Sequence, residues 1–315
     1  MRLDLLAIAE PFVDICHEPI SYEKLRGIGL DIGTANRYLV EDEVSESIRG
    51  AVEAVPVVSE IPGSCPGNVA FSLRALGHTV GISAAFGTDR RGELYRSEIE
   101  RYRMTLVDQR FKGERVNPYA HILFTDGKRT IFAYRPDEPK ISLDSTLPEA
   151  TFVYTSGIEV SALGRPLVDL VIGYSGKLAF DIASPNAAKA NRELFRALES
   201  YINVLFTSVE EYEAMFERGF NTADPLQTHP NMEFIALKQG AEGSIIYSHH
   251  GMVKVPVVVI DQADFINDYG AGDGYAAGVI SALLRRMDME QVGELGARVA
   301  ADVIKQQGPH LDFIF

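Results

Sequence analysis

The 315 residues include 46% hydrophobic side chains, enough for a sizeable core in one large domain or a domain with a small appendage. Thirty Lys and Arg residues against 44 Asp and Glu leave a net charge of −14, which argues against a general nucleic-acid or membrane-surface binder. Cys16 and Cys65 lie far apart with no metal-ligand spacing, the start of the chain is too charged at Arg2 and Asp4 for a signal peptide, and no apolar run reaches membrane-spanning length, so a soluble protein of the reducing cytoplasm is expected.

In chain order, short apolar runs at residues 5–9, 80–84, 152–155, 177–180, 204–206 and 234–237 read as buried strands, with a further β-branched strand at 253–260. Helical patterns occupy 69–76, 163–173, 187–198, 209–216, 274–286 and 289–306, and Gly77 is placed to stop the first of them. Strands alternating with helices predict an α/β fold, a parallel sheet covered on both faces, with ligands beyond the carboxyl ends of its strands. One stretch breaks the alternation: residues 119–134 read as strand, Asp126-Gly127 turn, strand. Segments 12–20 and 37–40 are candidates to pair with this hairpin in a small separate sheet that acts as a lid. No internal repeat or low-complexity linker divides the chain. The expectation is a single domain over 1–315, with the lid built from about 12–40 and 110–137.

The run from Asn267 to Gly278 is the most informative. Gly270, Ala271 and Gly272 leave backbone N–H groups open at a helix start, a site for a phosphate or a developing anion. A carboxylate there repels phosphate, so Asp273 needs a reason. As a general base it would take the proton from an attacking hydroxyl while the adjacent amides hold the transferred group. The other reading is a helix with Asp in its first turn and glycines for packing.

Several separated motifs line up in order. They are Gly63-Ser64-Cys65-Pro66-Gly67-Asn68-Val69-Ala70, Gly87-Thr88-Asp89-Arg90-Arg91-Gly92, Ser208-Val209-Glu210-Glu211, Gly240-Ala241-Glu242-Gly243 and the Gly270–Asp273 run. Together they resemble the ribokinase-like, phosphofructokinase-B-type carbohydrate kinases. The resemblance implies a Rossmann-like αβα sandwich with a small β-sheet lid, and a kinase that moves the γ-phosphate of ATP to a primary hydroxyl of a sugar or nucleoside. It assigns Asp273 as base, with Gly270, Ala271 and Gly272 forming the anion hole. Asp14, ending the first strand in Phe12-Val13-Asp14, would accept from sugar hydroxyls, with Gly63 and Asn68 completing the acceptor site. Asn68 also sits where a helix N-cap is wanted. Gly240 and Gly243 would shape the nucleotide loop, with Lys238 near the phosphates or simply an exposed strand-end cation. Glu211 would stand near Mg²⁺ through water, although Ser208-x-x-Glu211 is also a capping box.

Departures from the pattern are informative as well. Ser64 replaces the family's second glycine, Ser208 its Asn, and Asn267-Asp268-Tyr269 its Asp-Thr-Thr. That last stretch helps hold a monovalent cation in relatives, so losing the carboxylate at 267 predicts weak or altered cation dependence. Gly29–Thr34, Ala183-Ser184-Pro185-Asn186 and Gln307–Leu311 lean toward the adenosine-kinase-like branch. Phe12, Tyr119 and Phe132 are then candidates to line a purine site. Arg135 reads as surface charge or a substrate contact from the lid hairpin, with surface charge favoured, His249-His250 as a solvated turn, and the seven histidines show no ligand spacing. An exposed lid edge would suit a homodimer; no nucleic acid or membrane partner is expected. Two rivals remain: an actin-like ATPase built on Asp31-Ile32-Gly33-Thr34, and a sugar- or nucleotide-binding regulator that kept the fold and lost turnover.

Overall fold

The computed structural model describes residues 2–27, 38–39, 46–108, 115–125, 128–135 and 147–312. The chain opens with β1 (Leu3–Ile8), β2 (Val13–His17), α1 (Tyr22–Gly27), β3 (Tyr38–Leu39), α2 (Glu46–Glu53) and β4 (Val57–Pro62). It continues through α3 (Cys65–Ala75), β5 (Val80–Ala84), α4 (Arg90–Arg101), β6 (Thr105–Asp108), β7 (Tyr119–Thr125), β8 (Lys128–Tyr134), β9 (Ala150–Ser156) and α5 (Gly157–Ile172). The second half holds β10 (Lys177–Asp181), α6 (Pro185–Ala190), α7 (Arg192–Glu199), β11 (Ile202–Thr207), α8 (Val209–Phe216), β12 (Phe234–Lys238), β13 (Ser244–Ser248), β14 (Gly251–Val255), α9 (Ala271–Leu284) and α10 (Met289–Val303).

Nine strands form the main sheet in the order β14-β13-β12-β11-β10-β9-β1-β5-β6. From β12 to β6 every pairing is parallel, and β13 and β14 close one edge antiparallel. Strand β1, inside the sheet, shows why its run from Leu5 to Ile8 is continuously apolar. Leu5 and Ala7 face one core with Val69, Phe71 and Ile280 of α3 and α9, while Leu6 and Ile8 face the other with Leu167 and Val168 of α5. Both faces are buried, so no polar residue alternates. This is the expected Rossmann-like αβα sandwich.

A second sheet runs β3-β8-β7-β2-β4. The hairpin closes with Thr125 opposite Lys128, as a two-residue connection requires, although Asp126 and Gly127 lie outside the described residues. Alternation along β2 and β7 sets its two faces. Phe12, Cys16, Ala120 and Ile122 pack with Tyr269 on one, and Leu123 and Phe132 pack with Leu25, Val52 and Val55 on the other.

Several sequence expectations are corrected. Asp14 belongs to β2 of the small sheet and not to the first strand, opposite Ile61 and Ala120. The helix expected at 187–198 is two: Asn191 leaves helical geometry while its amide donates to Ser161 Oγ and to the Ala187 carbonyl, competing with the backbone ladder. The strand expected at 253–260 stops at Val255, because Pro256 has no N–H for the ladder. Helix α5 is broken at Gly164 (φ 62°, ψ −147°): its first stretch, capped by Ser156, was not expected, and its second falls within the 163–173 pattern. Gly77, at φ 92°, follows the end of α3 as anticipated. Asp89, within the Gly87–Gly92 motif, caps α4, a helix the apolar pattern did not reveal.

Candidate active site

Asp273 sits in the first turn of α9. Gly270 caps that helix with φ 78° and no side-chain hydrogen bond, and any Cβ there would strike the Pro309 carbonyl of the C-terminal segment. Gly270 is therefore required by packing as well as by the open N-terminus, whereas a Cβ at Gly272 would meet nothing. The Ala271 amide donates to Asp268 at 3.3 Å, whereas those of Gly272 and Asp273 meet no backbone carbonyl among the described residues. Two N–H groups and the positive end of a 14-residue helix thus face outward beside a carboxylate.

That carboxylate is poised. Burial pushes Asp273 up to about 7, against the hydrogen bond from Asn68; Asp181 raises it further, and Lys238 and the Cys65 thiol pull it down. Asn68 Nδ2 donates to Asp273 Oδ2 at 2.8 Å across 205 residues of chain. Asn68 Oδ1 is buried with no partner among the described residues. Asn68 lies inside α3 and does not cap it; the cap is Ser64, whose Oγ accepts from Gly67 N at 3.2 Å. Ser64 does so at φ 71° and ψ 148°, a region of backbone space open almost only to glycine.

Asp14 is also buried, and burial lifts it to about 7, against the Tyr269 hydroxyl and the Arg129 charge, with Asp273 adding to the rise. Its carboxylate lies flat over Gly63, where any Cβ would overlap it, so Gly63 is needed for the close approach. The Tyr95 hydroxyl fixes the Gly63 carbonyl from below at 3.0 Å. Asp14 Oδ2 accepts from the Tyr269 hydroxyl. Acceptor atoms thus dominate this pocket: Asp14, Asp273 and Asn68 Oδ1.

On the other side, Lys238 ends β12 and bonds both Asp181 oxygens at 2.8 and 2.9 Å, with Glu211 Oε2 at 3.8 Å. Burial alone would lower its ammonium, but Asp181 and Glu211 outweigh that and hold it above its ordinary value. It is therefore no exposed strand-end cation. Glu211 completes the capping box, accepting from Ser208 N at 2.7 Å while Ser208 Oγ accepts from Glu211 N. Capping leaves Glu211 beside Lys238, so its two readings are compatible. Gly240 and Gly243 bound a single turn between β12 and β13, closed by Gln239 N to the Gly243 carbonyl at 2.9 Å. No group of three or more metal-ligating side chains occurs among the described residues. Asp181 and Glu211 still offer the oxygen donors that Mg²⁺ prefers, in a setting where most of its ligands would be water and phosphate.

Other expectations fare differently. Arg135 is not free surface charge: it pairs with Glu10, which is 1% exposed beyond β1, and lies over the Phe12 ring at 5.4 Å. Tyr119 and Phe132 sit on the far face of the small sheet from Asp14, leaving only Phe12 near the site. His249 and His250 form the exposed turn between β13 and β14. The other histidines are buried in structural bonds, such as His17 Nε2 to His121 Nδ1 at 2.8 Å and His78 Nε2 to Ser281 Oγ at 2.8 Å. Segment 29–34 lies outside the described residues. Sequence reasoning missed Asp181 and Tyr269. The first follows an expected strand directly at its carboxyl end, and the second is a bulky aromatic amid glycines; both were signals.

A profile described as pfkB family carbohydrate kinase matches residues 31–313. A nucleoside kinase of Methanocaldococcus jannaschii is 22% identical over 258 residues, covering 81% of this chain and 82% of that protein. A 5-dehydro-2-deoxygluconokinase of Bacillus cereus is 24% identical over 309 residues, covering 88% and 90% respectively. The crystal structure of an adenosine kinase from Sinorhizobium meliloti superposes with a TM-score of 0.81 at 20% identity, covering 99% of this chain and 96% of that one.

Proposed function

Because the chain belongs to the pfkB family of carbohydrate kinases, phosphotransferases that act on hydroxyl groups, we propose that it transfers the γ-phosphate of ATP to a primary hydroxyl of a sugar or nucleoside. The observation that carries this reading is Asp273: a half-buried carboxylate pushed up to about 7, oriented by Asn68, beside the amides of Gly272 and Asp273, which meet no backbone carbonyl among the described residues. A base works best when its pKa lies near the working pH.

In this reading Asp273 takes the proton of the attacking hydroxyl, and the amides of Gly270 to Asp273 hold the negative charge of the group in flight. Asp14, Gly63 and Asn68 orient the acceptor, whose hydroxyls supply the donors that Asp14 Oδ1 and Asn68 Oδ1 lack among the described residues. Lys238, Gly240 and Gly243 face the nucleotide. Magnesium, supported by Glu211 and Asp181 through water, would neutralise phosphate charge. The small sheet of β2, β3, β4, β7 and β8 serves as a lid within one domain. Its β4 edge, where Val57 and Val58 are about half exposed, is where a second copy would pair. The setting is cytoplasmic.

Asp273→Asn keeps the helix start and removes the proton acceptor, so turnover should fall about 100- to 10,000-fold. Nucleotide affinity, read by isothermal titration, should hold or tighten as a negative charge leaves. In the unaltered enzyme kcat/KM should fall as pH drops below about 7, because the ionised base is required. A loss under tenfold in the folded variant would remove Asp273 as the base.

A further inference from the structure

Tyr269 stands where the family signature has a small residue, and it is held at three points. Its N–H donates to Asn267 Oδ1 at 2.8 Å. Its ring packs among Phe12, Ala120 and Ile122, with Phe124 edge-on at 6.5 Å and the Arg129 guanidinium over it at 5.3 Å. Its hydroxyl donates to Asp14 Oδ2. So fixed a phenol forms part of the wall around Asp14.

The consequence falls on Asp14. An ionised carboxylate with both oxygens open can take two neighbouring hydroxyls of an acceptor at once. Here Oδ2 already accepts from Tyr269 and lies against Gly63, which crowds its remaining lone pair, while Oδ1 accepts no hydrogen bond among the described residues. We propose that Tyr269 is a specificity-determining residue: by holding Asp14 Oδ2 it leaves one oxygen to read one acceptor hydroxyl, so the kinase accepts a deoxy sugar or deoxynucleoside about as well as its hydroxylated counterpart. This rests on the reading of Asp14 as an acceptor-site residue. A site that bonds a hydroxyl through a buried charged group rejects the analogue lacking it; a site whose second oxygen is satisfied internally has no such penalty.

Tyr269→Phe keeps the ring and frees Oδ2. The probes are adenosine with 2′-deoxyadenosine and D-ribose with 2-deoxy-D-ribose, followed by nucleotide consumption in the wild type, Tyr269→Phe and Asp14→Asn. The wild type should favour the hydroxylated member of the pair it uses by less than about threefold in kcat/KM. Tyr269→Phe should raise that preference about 10- to 100-fold, the worth of one hydrogen bond to a charged group. An unchanged ratio in Tyr269→Phe, with Asp14→Asn still raising the acceptor KM, overturns the role of Tyr269 and spares the pocket. An unchanged acceptor KM in Asp14→Asn overturns the pocket assignment itself. Strong wild-type rejection of the deoxy member, or turnover of neither pair, also overturns the proposal.

Discussion

Glu159 should make this protein less stable as pH rises, and Glu159→Gln should remove that dependence. The side chain lies in the first turn of α5, 1% exposed, accepting from Ser156 Oγ. Burial pushes its carboxyl from 4.5 up to about 8, against the Ser156 bond, with Glu10 and Asp273 adding to the rise. A raised carboxyl favours folding fully below its unfolded value, where both states are protonated. That contribution is lost as pH climbs to the folded value, because the folded state keeps a proton the unfolded chain gives up. Each pH unit between 4.5 and 8 costs about 1.4 kcal/mol. At pH 7 the sum is about 3 kcal/mol. Glutamine has the same shape, still accepts from Ser156 and does not titrate. The variant should therefore exceed the wild type by about 3 kcal/mol in urea unfolding at pH 7, with the gap shrinking below about 1 kcal/mol at pH 5. Turnover should stay within about twofold, since the native side chain is already neutral at pH 7. A variant equal to or weaker than wild type at pH 7 would show that Glu159 is ionised in the fold and refute the reasoning.

Ser64→Gly should stabilise the protein by about 1 kcal/mol in urea unfolding: relief of about 1–3 kcal/mol of backbone strain exceeds the few tenths lost from the cap and the entropy glycine brings to the unfolded chain. A loss of stability would mean that the Ser64 conformation carries no strain. Potassium should activate less than about twofold at constant ionic strength, because Asn267 brings no charge and its oxygen already accepts from Tyr269 N at 2.8 Å, well below the charge attraction a carboxylate would supply. Asn267→Asp should increase the activation, and strong wild-type activation abolished by Asn267→Ala would contradict this account.

Much of the fold was legible because it is written in local patterns. A strand buried on both faces is apolar along its covered length, and residues 5–8 and 204–206 read that way. Elements with one solvent face were harder. Strand β4 exposes Val57 and Val58, and α4 buries only Gly92, Tyr95 and Ile99 of its twelve residues, so neither carries a strong apolar signal. The break at Asn191 depends on Ser161, thirty residues away, and no window around residues 187–198 contains it. The end of β14 was different: Pro256 was visible and should have outweighed the β-branched residues after it.

The candidate site divides along the same line. Helix starts and glycine turns can be read in sequence because their backbone needs are local, and this is how Gly270–Asp273 and Gly63–Asn68 came forward. Their partners are set by tertiary contact: Asp273 meets Asn68 across 205 residues, Asp14 meets Tyr269 across 255, and Lys238 meets Asp181 across 57. No periodicity marks Asp181 out among 44 acidic residues. What does mark it is position, since a parallel sheet gathers the carboxyl ends of successive strands along one edge. Glu10 after β1, Glu159 after β9, Asp181 ending β10, Glu211 after β11 and Lys238 ending β12 all come from that edge. Burial raises the carboxyl groups of Asp14, Glu159 and Asp273 to about 7 or 8, and neighbouring acids add to the rise. A base near neutrality follows from where the fold buries its carboxylates, and that placement is a property of topology.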